Sequence, residues 1–261
     1  MNYNTICRHL QGTADIIVDG LIIHDLHVVE WEGSLFVTMP KYAEDGIGTM
    51  KQISSLKEEG QERILDAALE MFSQNGYAGT NIRELSASLG LVKSGVYKHY
   101  ESKEAIWNAL LDKMIAYYAD HFGSADHLPP VPDSLEELIR LTMQMVNITV
   151  HDEKIIMTRK VLTLEQYRDV RARELATKHF LTGLTEMFTR IFTGMMEKEL
   201  LRKDDPEMLA FAYTAPISAL IHLCDREPKK TEEAIKQVEA FSRHFIKIYG
   251  GAKGRRITAP V

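Results

Sequence analysis

The sequence predicts an all-α chain, a helix-turn-helix head followed by a helical body, with a short β-rich appendage at its N-terminus. Three observations predict it. From Ser54 onward apolar residues recur at helical spacing nearly to the end, with short breaks at 123–133, 202–206 and 226–230. Within that stretch two short helices flank a tight turn at Gly90, the pattern of a helix-turn-helix. Ahead of residue 50 the pattern changes to short runs of branched and aromatic residues parted by turn residues.

In the appendage, residues 1–49, Ile16-Ile17-Val18 and Leu21-Ile22-Ile23 flank Asp19-Gly20, a two-residue hairpin signal. Leu26 to Trp31 and Leu35 to Met39 flank Glu32-Gly33-Ser34 in the same way. Pro40 to Thr49, with Gly46 and Gly48, reads as a loop. The head follows at 58–118. Ile64, Leu65, Ala68, Met71 and Phe72 make 61–75 an amphipathic helix, ended by Asn75-Gly76 with Gly76 suited to a left-handed position. Asn81 with Glu84 three residues on starts a second helix, buried along Ile82, Leu85 and Leu89. A short apolar and cationic helix is expected over Lys93–Tyr100, and Ser102 caps a fourth helix with Ile106, Leu110 and Met114 on one side.

The body, 119–250, opens at Pro132-Asp133-Ser134 with Glu137, ahead of Leu135, Leu138, Leu141, Met145 and Ile148. Asp205-Pro206 starts a helix apolar on nearly all sides, since proline loses no hydrogen bond at the first helical position. Thr231, with Glu232 and Glu233 favourable to the helix dipole, starts a last helix striped by Ile235, Val238, Phe241, Phe245 and Ile248. Residues 251–261 read as a flexible tail.

Bulk composition excludes several classes. The hydrophobic fraction of 45% and charged fraction of 26% are ordinary for a globular protein. No uninterrupted apolar run approaches the roughly 18–20 residues of a membrane span, so no membrane partner is expected. Asp15, Asp19 and Asp25 break any secretory signal, and the two cysteines, Cys7 and Cys224, suit a reducing cytoplasm. Net charge is −6, so a nucleic-acid role has to rest on local charge. Residues 58–118 hold six Lys and Arg against nine Asp and Glu, yet Val92 to Tyr100 contains Lys93, Lys98 and His99 and no acid. A single cationic helix per subunit suffices for a dimer to contact several phosphates.

Gly76-Tyr77-Ala78-Gly79-Thr80-Asn81-Ile82-Arg83-Glu84-Leu85, then Gly90-Leu91-Val92-Lys93-Ser94-Gly95-Val96-Tyr97-Lys98-His99-Tyr100, then Ser102-Lys103-Glu104, resembles the N-terminal signature of TetR-family regulators. The resemblance implies a homodimeric DNA-binding regulator whose repression a small-molecule effector relieves. It implies phosphate contacts from Thr80, Tyr97 and Lys103 and approach to bases or backbone by Lys93, Ser94, Gly95, Lys98 and His99, with the cap residue Asn81 beside them. It also implies a palindromic double-stranded operator and a dimer paired through helices at about 206–225 and 231–249. Val92 stands where the family often has a Ser or Thr cap, and Ser94-Gly95 replaces the commoner Gly-Ala or Gly-Thr. Arg83 and Lys113 read as solvated or paired. For the effector pocket, Tyr117, Met143, Met157, Tyr167 and Phe188 are candidate lining residues, with plain core packing as the alternative for each.

Little supports an enzyme. His222 and Cys224 lack two further spaced ligands for zinc, and His151-Asp152-Glu153 is more simply a helix start. No nucleophile elbow or phosphate-cradling loop occurs, and no cofactor or metal is expected. Gly12 to Pro40, with Ile23-His24-Asp25-Leu26-His27-Val28-Val29 and Leu35-Phe36-Val37-Thr38-Met39-Pro40, resembles a central segment of the stage V sporulation protein G family. That resemblance carries over no functional residue. These strands could pair with their copies, lie on the body, or reflect a fusion or an extended start ahead of Met50. A chain beginning at Met50 is expected to fold and bind DNA.

Overall fold

The computed structural model describes residues 9–18, 21–31, 34–38, 43–123 and 129–257. They form two compact units, Met1–Gly60 and Gln61–Val261.

The first unit holds an antiparallel sheet, β1 (His9–Val18), β2 (Leu21–Trp31) and β3 (Ser34–Thr38), in that spatial order. Val18 pairs with Leu21 and Trp31 with Ser34, so both connections are two residues long. The turn residues Asp19, Gly20, Glu32 and Gly33 lie outside the described residues. α1 (Ala43–Gly79) begins well before the expected loop ends, so residues 43–49 are helical and only 40–42 fall outside the described residues. Ile47, Met50, Ile53 and Leu56 recur three apart there, and each glycine costs a helix only about 1 kcal/mol relative to Ala.

The second unit starts within α1. Gly76 breaks it at φ 70° and ψ 171°, a region nearly closed to residues with a Cβ. α2 (Ile82–Ser88), α3 (Lys93–Tyr97) and α4 (Lys103–Phe122) complete the head. The caps fall where short polar residues precede apolar periodicity. The Arg83 amide donates to Asn81 at 2.8 Å and the Ala105 amide to Ser102 at 3.0 Å. Ile64, Phe72, Leu85, Val96, Ile106 and Leu110 close the core of the head.

In the body, α5 (Leu135–His151) is followed by a stretch that the periodicity left undivided. It separates into α6 (Glu153–Glu165), α7 (Val170–Thr177), a π-helical turn (Lys178–Thr182) and α8 (Gly183–Glu197). Asp152 caps α6 through the Ile155 amide at 2.9 Å, and Asp169 caps α7 through Ala172 at 2.7 Å. α9 (Pro206–Arg226) and α10 (Thr231–Tyr249) then pack with α5 and α8 around Leu138, Ile191, Phe192, Tyr213, Val238 and Phe245. The buried Tyr213 hydroxyl is satisfied by Thr142 and Ser242, each at 2.9 Å.

The expected tail is largely structured. α11 (Ala252–Ile257) follows Gly251, whose amide donates to the Leu200 carbonyl at 2.8 Å. Gly254 is buried, and a Cβ there would lie 2.6 Å from both Leu135 Cδ1 and the Leu200 carbonyl oxygen. The absence of a side chain is what lets this turn press onto α5. Residues 258–261 lie outside the described residues.

Two arrangements matter for the site. The head core continues into Val161 and Leu162 of α6 and Ala172, Leu175 and Ala176 of α7, so the head rests on those helices. α9 is apolar and long enough to cross a membrane by length and composition. Its Leu209, Ala210, Tyr213 and Ile217 are core, whereas Met208, Phe211, Ala212, Pro216 and Ala219 form an exposed strip at helical spacing.

Candidate functional site

α2 and α3 meet at the turn residue Gly90, whose φ of +68° favours glycine although a Cβ there would meet no atom. Leu89, Gly90 and Leu91 all donate amides back to the end of α2, which makes the turn tight. Val96 is fully buried and fixes α3 against the head. Val92 at the N-cap makes no side-chain cap, as the departure from the family pattern led one to expect.

Of the nine residues expected at DNA, Lys93, Ser94, Tyr97 and Lys98 lie together and exposed on α3 and its C-cap. Gly95 is half-buried, and the Lys93 ammonium sits 5.5 Å from the centre of the Tyr97 ring. His99 is half-buried with its Nδ1 enclosed and unpartnered. Asn81 is exposed, but its side-chain oxygen accepts the Arg83 amide, so its role here is capping. Lys103 donates to the Tyr77 carbonyl and lies 4.3 Å from the centre of that ring, leaving further N–H groups uncommitted.

Thr80 departs from expectation. It is 3% exposed, and its hydroxyl donates to the Gly76 carbonyl at 3.0 Å, so its one proton is not available to a phosphate. Its work is to tie the broken end of α1. Lys113 is paired as expected, with Glu62 at 2.6 Å and Asp66 at 2.7 Å.

A cavity of about 490 Å³ opens in the body, lined from α4, α5, α6, α7, the π turn, α8 and α9. None of the five expected pocket residues lines it. Tyr167 is 85% exposed in the α6–α7 break. Phe188 is buried against Phe192 and Tyr213, and Met143 packs on that same core. Met157 packs on the head core, and the Tyr117 hydroxyl donates to Asp152 at 2.9 Å. The lining comes instead from their neighbours Tyr118, Met145 and Met187, with Arg159, His179, Phe180 and His222.

Arg159 is the charged centre of that wall. It is 2% exposed and forms a two-pronged pair with Asp225, both contacts 2.6 Å, while its Nη1 donates to the Thr149 carbonyl at 2.8 Å. Burial, helped by the charge of Lys178, pushes His179 down to about 4. Burial lowers His222 as well, against the pull of Asp225. Tyr118, whose ring centre is 3.9 Å from that of His179, is pushed up to about 12 by burial with Arg159 opposing. Sequence alone carried no signal for Arg159 and Asp225, which stand 66 residues apart.

α6 joins this cavity to the head. Six residues beyond Arg159, the 3%-exposed Glu165 accepts the Tyr77 amide at 2.8 Å. Asp169 accepts from the Trp107 indole at 3.2 Å.

Residues 64–110, the helices just described, match the family model for bacterial regulatory proteins of the tetR family. The biofilm operon icaADBC negative transcriptional regulator IcaR of Staphylococcus epidermidis is 25% identical over 49% of this chain and 86% of its own length. The transcriptional regulator TtgR of Pseudomonas putida is 28% identical over 63% of this chain and 81% of its own. Residues 64–110 therefore match the DNA-binding region of tetR-family regulators, and the chain is similar to transcriptional regulators over most of their length. Solved structures share the fold of this chain. A putative regulator from Saccharomonospora viridis, in complex with choline, superposes with a TM-score of 0.59 at 18% identity, covering 74% of this chain and 98% of its own. SmeT, the repressor of a Stenotrophomonas maltophilia efflux pump, gives 0.54 at 17%, covering 74% and 91%. The resemblance of residues 12–40 to stage V sporulation protein G is not borne out, since the family match falls wholly within 64–110.

Proposed function

We propose that the regulator is a homodimeric repressor that binds a palindromic double-stranded operator through α3 and is released from it by a small molecule held in the body cavity. One observation carries the DNA reading: α3 presents Lys93, Ser94, Tyr97 and Lys98 outward with no acid between Val92 and Tyr100. Val96 anchors the helix from behind, so the face is held rigidly enough to enter a major groove. Lys103 adds a phosphate contact from the start of α4, and His99 flanks the face. Thr80 and Asn81 support these residues as caps.

Two heads are needed to read two half-sites about one helical turn apart, and the exposed strip on α9 supplies a surface for pairing. That IcaR is a negative regulator and SmeT a repressor supports repression as the sign of control. Such a protein acts where the chromosome is, in the cytoplasm, and performs no catalysis.

The test is a gel shift on a palindrome from the region upstream of the gene, over a range of salt. Lys98→Ala removes one phosphate contact per head, so the slope of log affinity against log salt should fall by about 2 for the dimer. Intact dimers that bind no DNA would sink the repressor reading.

A further inference from the structure

We infer that the body cavity takes an uncharged aromatic molecule bearing a hydroxyl, with its ring among Tyr118, Phe180 and His222 and its hydroxyl bonded to the imidazole of His179. The inference rests on the reading of the body as an effector-binding domain and names the chemical class of that effector.

Charge decides first. Arg159 is the one charged side chain deep in the lining among the described residues, and Asp225 already pairs its charge while the Thr149 carbonyl takes a third N–H. An anionic ligand would meet a guanidinium whose charge Asp225 already pairs through two 2.6 Å contacts, and would add a second negative charge beside that carboxylate in a buried wall. A cation finds no free acid there, because Glu186 is exposed and shares the lining with the exposed Lys178 of opposite sign. Both lining imidazoles are held neutral at physiological pH by burial, so they add no charge that would attract an anion.

Shape and hydrogen bonding decide the rest. Tyr118 packs at 3.9 Å from His179, and Phe180 meets His222 edge-on at 4.9 Å, so the walls present ring faces and edges. His179 and Phe180 lie on the π turn, whose widened backbone bonds across to α9 through Ser218, which donates to the Phe180 carbonyl at 3.1 Å. π turns of this kind often mark ligand sites. The Nε2 of His179 is enclosed with no hydrogen-bond partner. Rotation about χ2 of an imidazole is soft, so turning the ring brings that nitrogen toward an entering group. A hydroxyl serves either tautomer, as donor or as acceptor.

Four probes on one skeleton test this with the full-length chain by titration calorimetry: indane, indanol, indanecarboxylate and indanylammonium. Indanol should bind about tenfold more tightly than indane and than either ion, the size expected of one hydrogen bond. His179→Leu should erase the advantage of indanol over indane while leaving indane unchanged, and His179→Gln should restore it. Should His179→Leu fail to fold, the wild-type ranking and His179→Gln still decide. Tighter binding of either ion, a hydroxyl advantage that survives in His179→Leu, or no binding of any probe would overturn the inference. Operator binding measured without probe is independent of all of these. Loss of that binding with indanol still bound would strike the DNA reading and leave the ligand class standing.

Discussion

Gly76 carries two constraints at one Cα. Its backbone lies at φ 70° and ψ 171°, and a Cβ built there would sit 2.8 Å from Oε1 of Glu165. Gly76→Ala therefore meets both backbone strain and a buried carboxyl group that is already bonded to the Tyr77 amide. Unfolding in urea should show a loss of about 1–3 kcal/mol. Gly90→Ala meets the positive φ but no atom, so the smaller loss expected there separates the steric part from the conformational one. A second residue-scale expectation concerns pH. The folded value for His179, about 4, lies below its unfolded value of 6.5. Between those values the unfolded chain takes up a proton that the folded chain refuses, so stability contributed by the neutral ring is complete above pH 6.5 and is lost as pH falls toward 4. From pH 7 to pH 5 protonation of the unfolded ring removes about 1–2 kcal/mol of stability. His179→Leu should flatten the decline in urea midpoint over that interval, and an unchanged slope would mean that the ring is protonated in the folded chain.

At the scale of elements, α6 is where local signals stop sufficing. Asn81, Ser102, Ser134 and Asp205 all cap helices at the positions the sequence marks, because a cap depends on residues two or three apart. The helix-turn-helix was legible for the same reason, since its short helices and the turn at Gly90 lie within some thirty residues. The pocket was not. Tyr117 and Tyr118 are adjacent and alike in sequence, yet one bonds Asp152 and the other lines the cavity, a choice set by the rotation of α4 against α6. Tyr167 looked like lining and is exposed, because it lies in the turn between the end of α6 at Glu165 and the cap of α7 at Asp169. No spacing rule links Glu165 to Tyr77, 88 residues away. That bond yields a prediction of its own. Glu165→Ala leaves the Tyr77 amide without an acceptor, at a cost of about 1–3 kcal/mol. Hydrogen exchange at that amide should accelerate by about tenfold to a hundredfold while exchange in α9 stays as it was. Uniform acceleration would show a global loss of stability and not the release of one latch between α6 and the head.

For the whole molecule, the outstanding surface is the one α9 leaves uncovered. Met208 at 63% and Phe211 at 48% exposure, with Ala212, Pro216 and Ala219, continue an apolar strip along a helix whose other face is core. A strip of that kind is stable in water when another surface covers it, and small residues such as Ala212 and Ala219 allow a facing helix to approach closely. On the proposed homodimer a second copy is the cover, because a two-fold pairing brings the same strip to itself and sets the two heads apart by a fixed distance. Phe211→Asp places a carboxylate on each side of such an axis without disturbing Leu209, Tyr213 or Ile217, which face the core. The monomer should keep its helical content. Sedimentation should show the dimer dissociation constant raised by about a hundredfold or more, the effect of losing an aromatic anchor at the centre of an interface. DNA binding should fall with it, since one head grips a half-site only weakly. A dimer that survives the substitution would move the interface off α9, and the spacing of the heads would then have to be set by another face of the body.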